Sequence, residues 1–241
     1  MIRAVPFLLA MLASSAAFAQ VDCNKGLEPL DSKAESRMTA TDFIHDVATK
    51  EIAFSKAFSN YGYQLSVDLR TLQDDQVDGE FKQLSAISFN NSTGARTVTE
   101  VGDTVNTLKR VNVPKGDVDA LRDAFTITPD LLANHDIVYS GRQKIDDFRA
   151  AVFDILPRDT PSDQRAFIGR TWVRIRDNAI VRICGRVPKG PFGPLRYLVT
   201  RARIADQYWF PSVISADENV RADDNDVHVR VDVKYSGYAP R

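Results

Sequence analysis

The chain has 241 residues, and its 31 Lys and Arg nearly balance its 32 Asp and Glu, leaving a formal net charge of −1. No stretch concentrates Lys and Arg without interleaved acids. Binding to a phosphate backbone relies on a clustered basic surface, so we expect no nucleic-acid partner. A chain of this length can bury a sizeable core within one large β domain.

The first residues have the layout of a secretory signal. Arg3 supplies a positive charge, an apolar run covers residues 4–13, and small residues lead to a cleavage site after Ala19. The apolar run is too short to cross roughly 30 Å of hydrocarbon. Cys23 stands too far beyond the cleavage site for a lipoprotein anchor. We therefore predict a signal peptide over residues 1–19 and a soluble, periplasmic mature chain that does not span the membrane.

Two cysteines occur, Cys23 near the mature start and Cys184 far downstream. An oxidising compartment permits a disulfide between them. The alternative is two separate thiols, with Cys23 exposed near the terminus and Cys184 packed in a strand. The sequence leaves both possibilities open.

The mature chain begins with an arm and a helix. Residues up to Ser36 are polar and lack periodicity, which predicts a loosely held arm. From Thr41 to Asn60 the apolar residues recur at helical spacing, with Thr39 or Thr41 available as the N-cap. The pattern predicts an amphipathic helix whose apolar face is formed by Phe43, Ile44, Val47, Phe54 and Phe58.

Period-two alternation dominates the rest of the chain and predicts about ten strands in meander order. Short helices opened by Pro114 and Pro129 interrupt the strands once. Residues 217–226 are acidic and predict a solvated turn rather than a calcium loop, because an EF-hand pattern is missing. The predicted strands are Tyr61–Arg70, Phe81–Phe89, Arg96–Val101, Ile137–Gly141, Phe148–Leu156, Thr171–Arg176, Ala179–Val187, Leu195–Ile204, Tyr208–Ser215 and Val227–Tyr235.

The sequence offers little for catalysis or metal binding. His45, His135 and His228 are the three histidines, and none sits in a recognisable catalytic motif. No His or Cys pair has the close spacing of a zinc site. We therefore expect no cofactor and no enzymatic activity. A hydrolase site assembled from distant carboxylates or an unrecognised Ser remains the alternative.

Several segments, taken in their order, resemble the outer-membrane lipoprotein-sorting carrier (LolA-like) superfamily over residues 38–238. The group includes lipoprotein and glycolipid carriers and envelope-stress regulators, so the substrate does not follow from the fold. The segments are the helix leading into Tyr61-Gly62-Tyr63-Gln64, then Tyr139-Ser140-Gly141-Arg142, Phe153-Asp154-Ile155, Gly169-Arg170-Thr171-Trp172-Val173 with its Asp177-Asn178 turn and Ile180-Val181-Arg182 return, and Tyr208-Trp209-Phe210-Pro211-Ser212.

The resemblance implies a mainly β fold with some α, in which residues 20–241 form a single antiparallel, unclosed (half) β-barrel. About 10–11 strands would cover a few helices and enclose an apolar cavity that receives acyl chains. No arginine of this chain matches the functional arginine of the carriers by motif, and Arg70 is a loose candidate for its role.

The apolar strand faces supply the candidate cavity lining, with a dry core packed on the helices as the alternative. Trp172 shares a predicted face with Arg174 and Arg176, which indicates an outer residue stacked on arginine. The lining candidates are Tyr63, Leu65, Val67, Val173, Ile175, Val181, Ile183, Val229, Val231 and Val233.

Two functional hypotheses follow. The first is a non-enzymatic periplasmic carrier of a lipid, a fatty acyl chain or a lipoprotein, held reversibly in a hollow core. The second is an envelope protein-interaction or stress-sensing module with a filled core, which would bind its partner through an outer edge or the Pro188–Pro194 connection.

Overall fold

A computed structural model describes residues 21–90, 92–122, 125–158, 167–186, 195–204, 208–222 and 225–241. The predicted signal peptide and its cleavage site after Ala19 lie outside the described residues. The Pro188–Pro194 connection lies outside them as well.

The first helix starts at a capping box. The Thr39 hydroxyl accepts a hydrogen bond from the Asp42 backbone N–H, and the Asp42 carboxylate accepts one from the Thr39 backbone N–H. The helix then continues as α1 (Ala40–Asp42), a π-helical stretch (Phe43–Ala48) and α2 (Thr49–Phe58).

The buried face of this helix differs from the predicted one at two positions, Ile44 and Glu51. Phe43, Val47, Phe54 and Phe58 are buried as expected. Ile44 is 36% exposed, whereas Glu51 is 3% exposed and takes a place on the apolar face. Ile44 lies in the π-helical stretch, where the helical phase departs from the regular 3.6-residue pattern.

In the part of the chain that the structure describes, eleven strands form one antiparallel sheet in the order β3-β2-β1-β11-β10-β9-β8-β7-β6-β5, with β4 pairing to β2 beside β3. The two ends of this order do not pair, so the sheet is unclosed, which confirms the predicted fold class. The strands are β1 (Tyr61–Gln73), β2 (Gln76–Phe89), β3 (Arg96–Glu100), β4 (Val105–Asn106), β5 (His135–Ile145), β6 (Phe148–Pro157), β7 (Ile168–Arg174), β8 (Ala179–Arg186), β9 (Arg196–Ile204), β10 (Tyr208–Ala222) and β11 (Asn225–Pro240).

The helices cover the inner face of the sheet. Two short helices, α3 (Lys115–Ala120) and α4 (Pro129–Leu132), join α2 there. Their apolar residues share one core cluster with the inward positions of nearly every strand. Within it, aromatic rings from α2, β1, β10 and β11 meet, for example Phe58 against Phe210 with ring centroids 5.4 Å apart.

The predicted turn over residues 217–226 is wrong, because β10 extends to Ala222 and β11 begins at Asn225. Glu218 is 4% exposed. Its carboxylate accepts hydrogen bonds from the Arg186 guanidinium at 2.7 Å and from the Arg196 backbone N–H at 2.8 Å. These partners come from other strands and allow an acidic residue to sit inside a strand.

The prediction of a loosely held N-terminal arm is also wrong. Val21, Cys23, Leu27 and Leu30 pack on the outer face of the sheet, and Asp31 exchanges two backbone hydrogen bonds with Arg142 of the terminal strand β5, at 2.8 and 3.0 Å. A disulfide joins Cys23 to Cys184 of β8. The Arg182 guanidinium donates to the backbone oxygens of Cys23 and Lys25.

The arm buries a second, smaller core on the outer face. Trp172 is fully buried in it, with its ring nitrogen donating to Gln143 Oε1 at 2.7 Å. The guanidinium that stacks on Trp172 belongs to Arg182, 5.5 Å from the ring centroid. Arg174 stacks instead on Phe148 and Trp209. Burial of Arg182 lowers its pKa.

Candidate functional site

Eight of the ten predicted lining residues lie in the main core, and each is at most 3% exposed. They point toward the helices that fill the inner face. These residues are Tyr63, Leu65, Val67, Val173, Ile183, Val229, Val231 and Val233.

Val181 and Ile175, the other two predicted lining residues, lie outside the main core. Trp172 pairs with Arg182 while Val173 pairs with Ile180, so Val181 is the extra residue of a β-bulge. The bulge turns Val181 to the outer face, where it packs in the second core. Ile175 follows the end of β7 and is 38% exposed.

A buried ion pair lies between the helix and the sheet. Arg201 of β9 donates from Nη1 and Nη2 to the two carboxylate oxygens of Glu51, each at 2.7 Å. The side chains are 1% and 4% exposed, respectively. The pair therefore connects α2 to the inner face of the sheet through two parallel charge-assisted hydrogen bonds.

Further contacts surround this pair. Arg201 also donates to the backbone oxygens of Ile180 and Phe125, and its guanidinium lies 4.3 Å from the ring centroid of Phe54. The Ile127 backbone N–H donates to Glu51. The network joins α2, two strands and the segment before α4, so moving the helix away from the sheet would break it.

This pair is not among the predicted site residues, although the spacing of both residues places them on faces that point to the core. Glu51 falls four residues after Val47 and three before Phe54, on the apolar face of the helix. Arg201 shares the period-two face of Val199. Arg70, the loose candidate, instead pairs with Asp68, and both side chains are partly exposed.

A partly open groove lies where the N-terminal end of the first helix approaches β5, β6 and β7. Its volume is about 400 Å³, within the range of small-molecule sites. The apolar lining comprises Met38, Tyr139, Ala151, Val173 and Ile175, and the polar lining comprises Ser36, Arg37, Asp42, Asp46, Arg142 and Asn178.

The groove has a mixed lining of five apolar and six polar residues, among them the basic Arg37 and Arg142 and the acidic Asp42 and Asp46. The hydrogen bond from the Thr39 backbone lowers the pKa of Asp42, so this carboxylate is ionised. The Arg142 guanidinium donates to the Glu35 backbone oxygen at 2.9 Å. Among the described residues, the buried Tyr139 hydroxyl finds no hydrogen-bond partner.

The histidines have simple local contacts. His45 lies 2.8 Å from the Asp46 carboxylate, His135 contacts the Phe167 backbone oxygen at 3.0 Å, and His228 contacts Asp217. In the part of the chain that the structure describes, no three His, Cys, Asp or Glu residues are placed to hold a metal ion. No described helix is long and apolar enough to cross a membrane.

One ion pair on the outer face connects the edge strand β5 to β6 and β7. Asp154 of β6 accepts hydrogen bonds from the Arg170 guanidinium at 2.7 Å and the Ser140 hydroxyl at 2.5 Å. Partial burial tends to raise the pKa of Asp154, but these hydrogen bonds and the Arg170 charge outweigh it and lower the pKa.

Comparison with known proteins gives structural neighbours only. No protein-family model and no curated protein matches the chain. A LolA superfamily protein from Nitrosomonas europaea is similar at 14% identity and a TM-score of 0.36, covering 81% of this chain and 94% of that one. A putative outer membrane lipoprotein-sorting protein domain from Vibrio parahaemolyticus has 12% identity and a TM-score of 0.42, with 81% and 91% covered.

The MucA/MucB complex structure from Pseudomonas aeruginosa is a third neighbour, at 10% identity and a TM-score of 0.26, covering 80% of this chain and 99% of that one. These solved structures include the superfamily that the sequence motifs resemble. At these identities and TM-scores the likeness carries no ligand, partner or activity over to this chain.

Proposed function

We propose that the chain is a non-enzymatic periplasmic binding protein that carries an amphiphile, namely a lipid, a fatty acyl chain or the acylated end of a lipoprotein. The observation that carries the proposal is the groove at the N-terminal end of the first helix. Its apolar lining residues would contact an apolar tail, and its Arg37 and Arg142 would bind an acidic or ester head group.

The energetics suit a reversible carrier. Each methylene moved from water to an apolar site contributes about 0.8 kcal/mol, so about ten methylenes contribute roughly 8 kcal/mol. Association costs at least about 4 kcal/mol of lost freedom, which leaves weak to moderate affinity. A shuttle must release its cargo, so this range supports the proposal.

The inner face offers further room for a longer chain if the helix moves. The eight buried lining candidates share one core cluster with the apolar residues of the helical cover. We infer that they line the cargo cavity in an open state, in which α2 has separated from β9 and the Glu51–Arg201 pair is broken. The groove would then be the entrance to this cavity.

The first test is native mass spectrometry of the mature protein purified from its own periplasm, followed by organic extraction. A stoichiometric acyl species supports the carrier proposal. A clean apo mass together with no uptake of a fluorescent fatty acid would contradict it.

A matched pair of variants locates the site. Ile175 on the groove and Ile168 on the outer face of β7 are both 38% exposed. Ile175→Glu should weaken binding of the fluorescent fatty acid by about tenfold, which corresponds to about 1.4 kcal/mol. Ile168→Glu should leave the affinity unchanged. Equal effects of the two substitutions would remove the groove from the proposal.

A protein-interaction module is the second candidate, and an apolar patch on the outer face favours it. Val138, Leu156 and Ile168 are 47%, 45% and 38% exposed on the neighbouring strands β5, β6 and β7. A photo-crosslinker at Ile168 that captures one envelope protein stoichiometrically, in a preparation free of lipid, would favour this candidate.

A further inference from the structure

The edge strand β3 is an exposed terminal strand of the sheet. It ends the strand order, and all five of its residues are exposed. Among the described residues no strand pairs with its outer edge. Natural sheets commonly protect such edges with short strands, charged side chains, Pro or a bulge. β3 is short and carries Arg96 and Glu100, but it contains no Pro and its pairing with β2 shows no register shift.

The hydrogen bonds to β2 define which backbone groups face outward. The Val101 backbone N–H donates to Leu84, and the Asn90 backbone N–H donates to Ala95, each at 2.8 Å. Backbone groups alternate in direction along an antiparallel strand. The odd-numbered residues from 95 to 101 therefore face β2, and Val98 and Glu100 turn their N–H and C=O groups toward the open edge.

We propose that this edge is a self-association surface, at which β3 pairs with β3 of a second copy of the chain about a two-fold axis at Val98. This antiparallel register places Arg96 opposite Glu100 of the second copy, Thr97 opposite Thr99, and Val98 opposite Val98. Opposite charges, paired threonines and paired β-branched residues are each favourable across strands. The self-complementary contact is what a closed two-fold interface requires.

The register is specific. A shift by two residues in either direction leaves Arg96 and Glu100 without opposite charges across the strands, whereas the Val98-centred register pairs both. Its three hydrogen-bonded residue pairs exchange about six backbone hydrogen bonds. In the single chain Arg96 donates to the Tyr63 hydroxyl and to the Arg122 backbone oxygen, so its guanidinium must reorient to pair with Glu100 of the second copy.

The interface is small, so the dimer should be weak and concentration-dependent. No residue of β3 lines the groove, whose strand residues come from β5, β6 and β7. Self-association therefore uses other residues than the proposed carrier function.

Sedimentation equilibrium of the mature protein over a wide concentration range tests the proposal. Val98→Lys places two like charges at the axis and should weaken dimerisation at least tenfold. Val77→Lys is the control, since Val77 is 52% exposed at the far end of β2. A monomer at every concentration, or a dimer equally weakened by both substitutions, would overturn the proposal.

Crosslinking provides an independent positive test. The residues of a hydrogen-bonded antiparallel pair have Cα atoms about 5.5 Å apart, a distance that a disulfide can span. Val98→Cys should therefore form a covalent dimer under oxidation, and Val77→Cys should not. A wild-type chain that stays monomeric but binds an added extended peptide at this edge would assign the edge to another occupant and refute self-pairing.

Discussion

Replacing Glu51 by Gln should lower the free energy of unfolding by about 3–5 kcal/mol, because breaking a buried ion pair leaves an uncompensated charge. The Glu51 carboxylate accepts two hydrogen bonds from Arg201 at 2.7 Å and one from the Ile127 backbone N–H at 3.3 Å. Gln keeps a single acceptor oxygen and directs its amide donors at partners that are themselves donors.

Removing both charges should lower the free energy of unfolding by less than the sum of the losses caused by Glu51→Leu and Arg201→Met alone. Glu51→Leu with Arg201→Met eliminates the unpaired charge. The residual cost comes from the backbone oxygens of Ile180 and Phe125, which lose a donor, and from the Ile127 backbone N–H, which loses its acceptor. Each such group is worth about 1–3 kcal/mol. A double-mutant cycle should therefore give a coupling free energy of several kcal/mol.

Urea unfolding followed by circular dichroism measures these differences. Asp68→Asn is the control, because the Asp68–Arg70 pair is partly exposed and should contribute no more than about 1 kcal/mol. A cost of Glu51→Gln similar to that of Asp68→Asn would refute the reasoning that the interior pair is desolvated and coupled. A lipid ligand that binds Glu51→Gln more tightly than wild type would show that the pair holds the cover closed.

Three further predictions concern the arm, the outer face and a glycine. Cys23→Ser with Cys184→Ser removes a crosslink over a sequence separation of 161, which should cost up to about 5 kcal/mol in urea unfolding and expose the arm to limited proteolysis. Asp154→Asn should cost about 1 kcal/mol at pH 7; because the folded pKa of Asp154 is lowered, the wild-type advantage should disappear as the pH falls below about 4. Gly169→Ala places a Cβ 2.4 Å from the Cys184 backbone oxygen and should lower the melting temperature, at a cost of about 1–3 kcal/mol.

A specific result would contradict each of these three predictions. Loss of the disulfide without faster cleavage of the arm would mean that the outer-face core holds the arm by itself. If the difference in free energy of unfolding between wild type and Asp154→Asn persisted unchanged at pH 3, it would contradict an ionised Asp154. Gly116→Ala is the control for Gly169→Ala, because a Cβ at Gly116 meets nothing within 4 Å. An equal loss at both glycines would refute the steric argument.

The sequence predicts the parts of the fold that depend on local periodicity. In β11 the alternating residues Val227, Val229, Val231, Val233 and Tyr235 are at most 5% exposed. Burial of one sheet face leaves a period-two signal in the residues themselves. The strand arrangement and the open sheet could therefore be predicted with the help of the motif order.

Features that depend on distant partners could not be predicted in this way. The bulge at Val181 is set by the pairing of β7 with β8, and the position of the arm depends on Asp31 meeting β5. Glu218 is found within a strand because Arg186 neutralises it from another strand. Period-two and period-3.6 patterns contain no information about such long-range contacts.

The place of the last strand in the sheet has a consequence for biosynthesis. β11 is last in chain order but lies between β1 and β10, near the middle of the strand order. β1 thus gains its second neighbour only when residues 225–240 have been delivered. Contacts of such long sequence separation form slowly and leave partly folded chains open to aggregation. A chain cut before β11 would lose a strand from the interior of the sheet and leave two new unpaired edges.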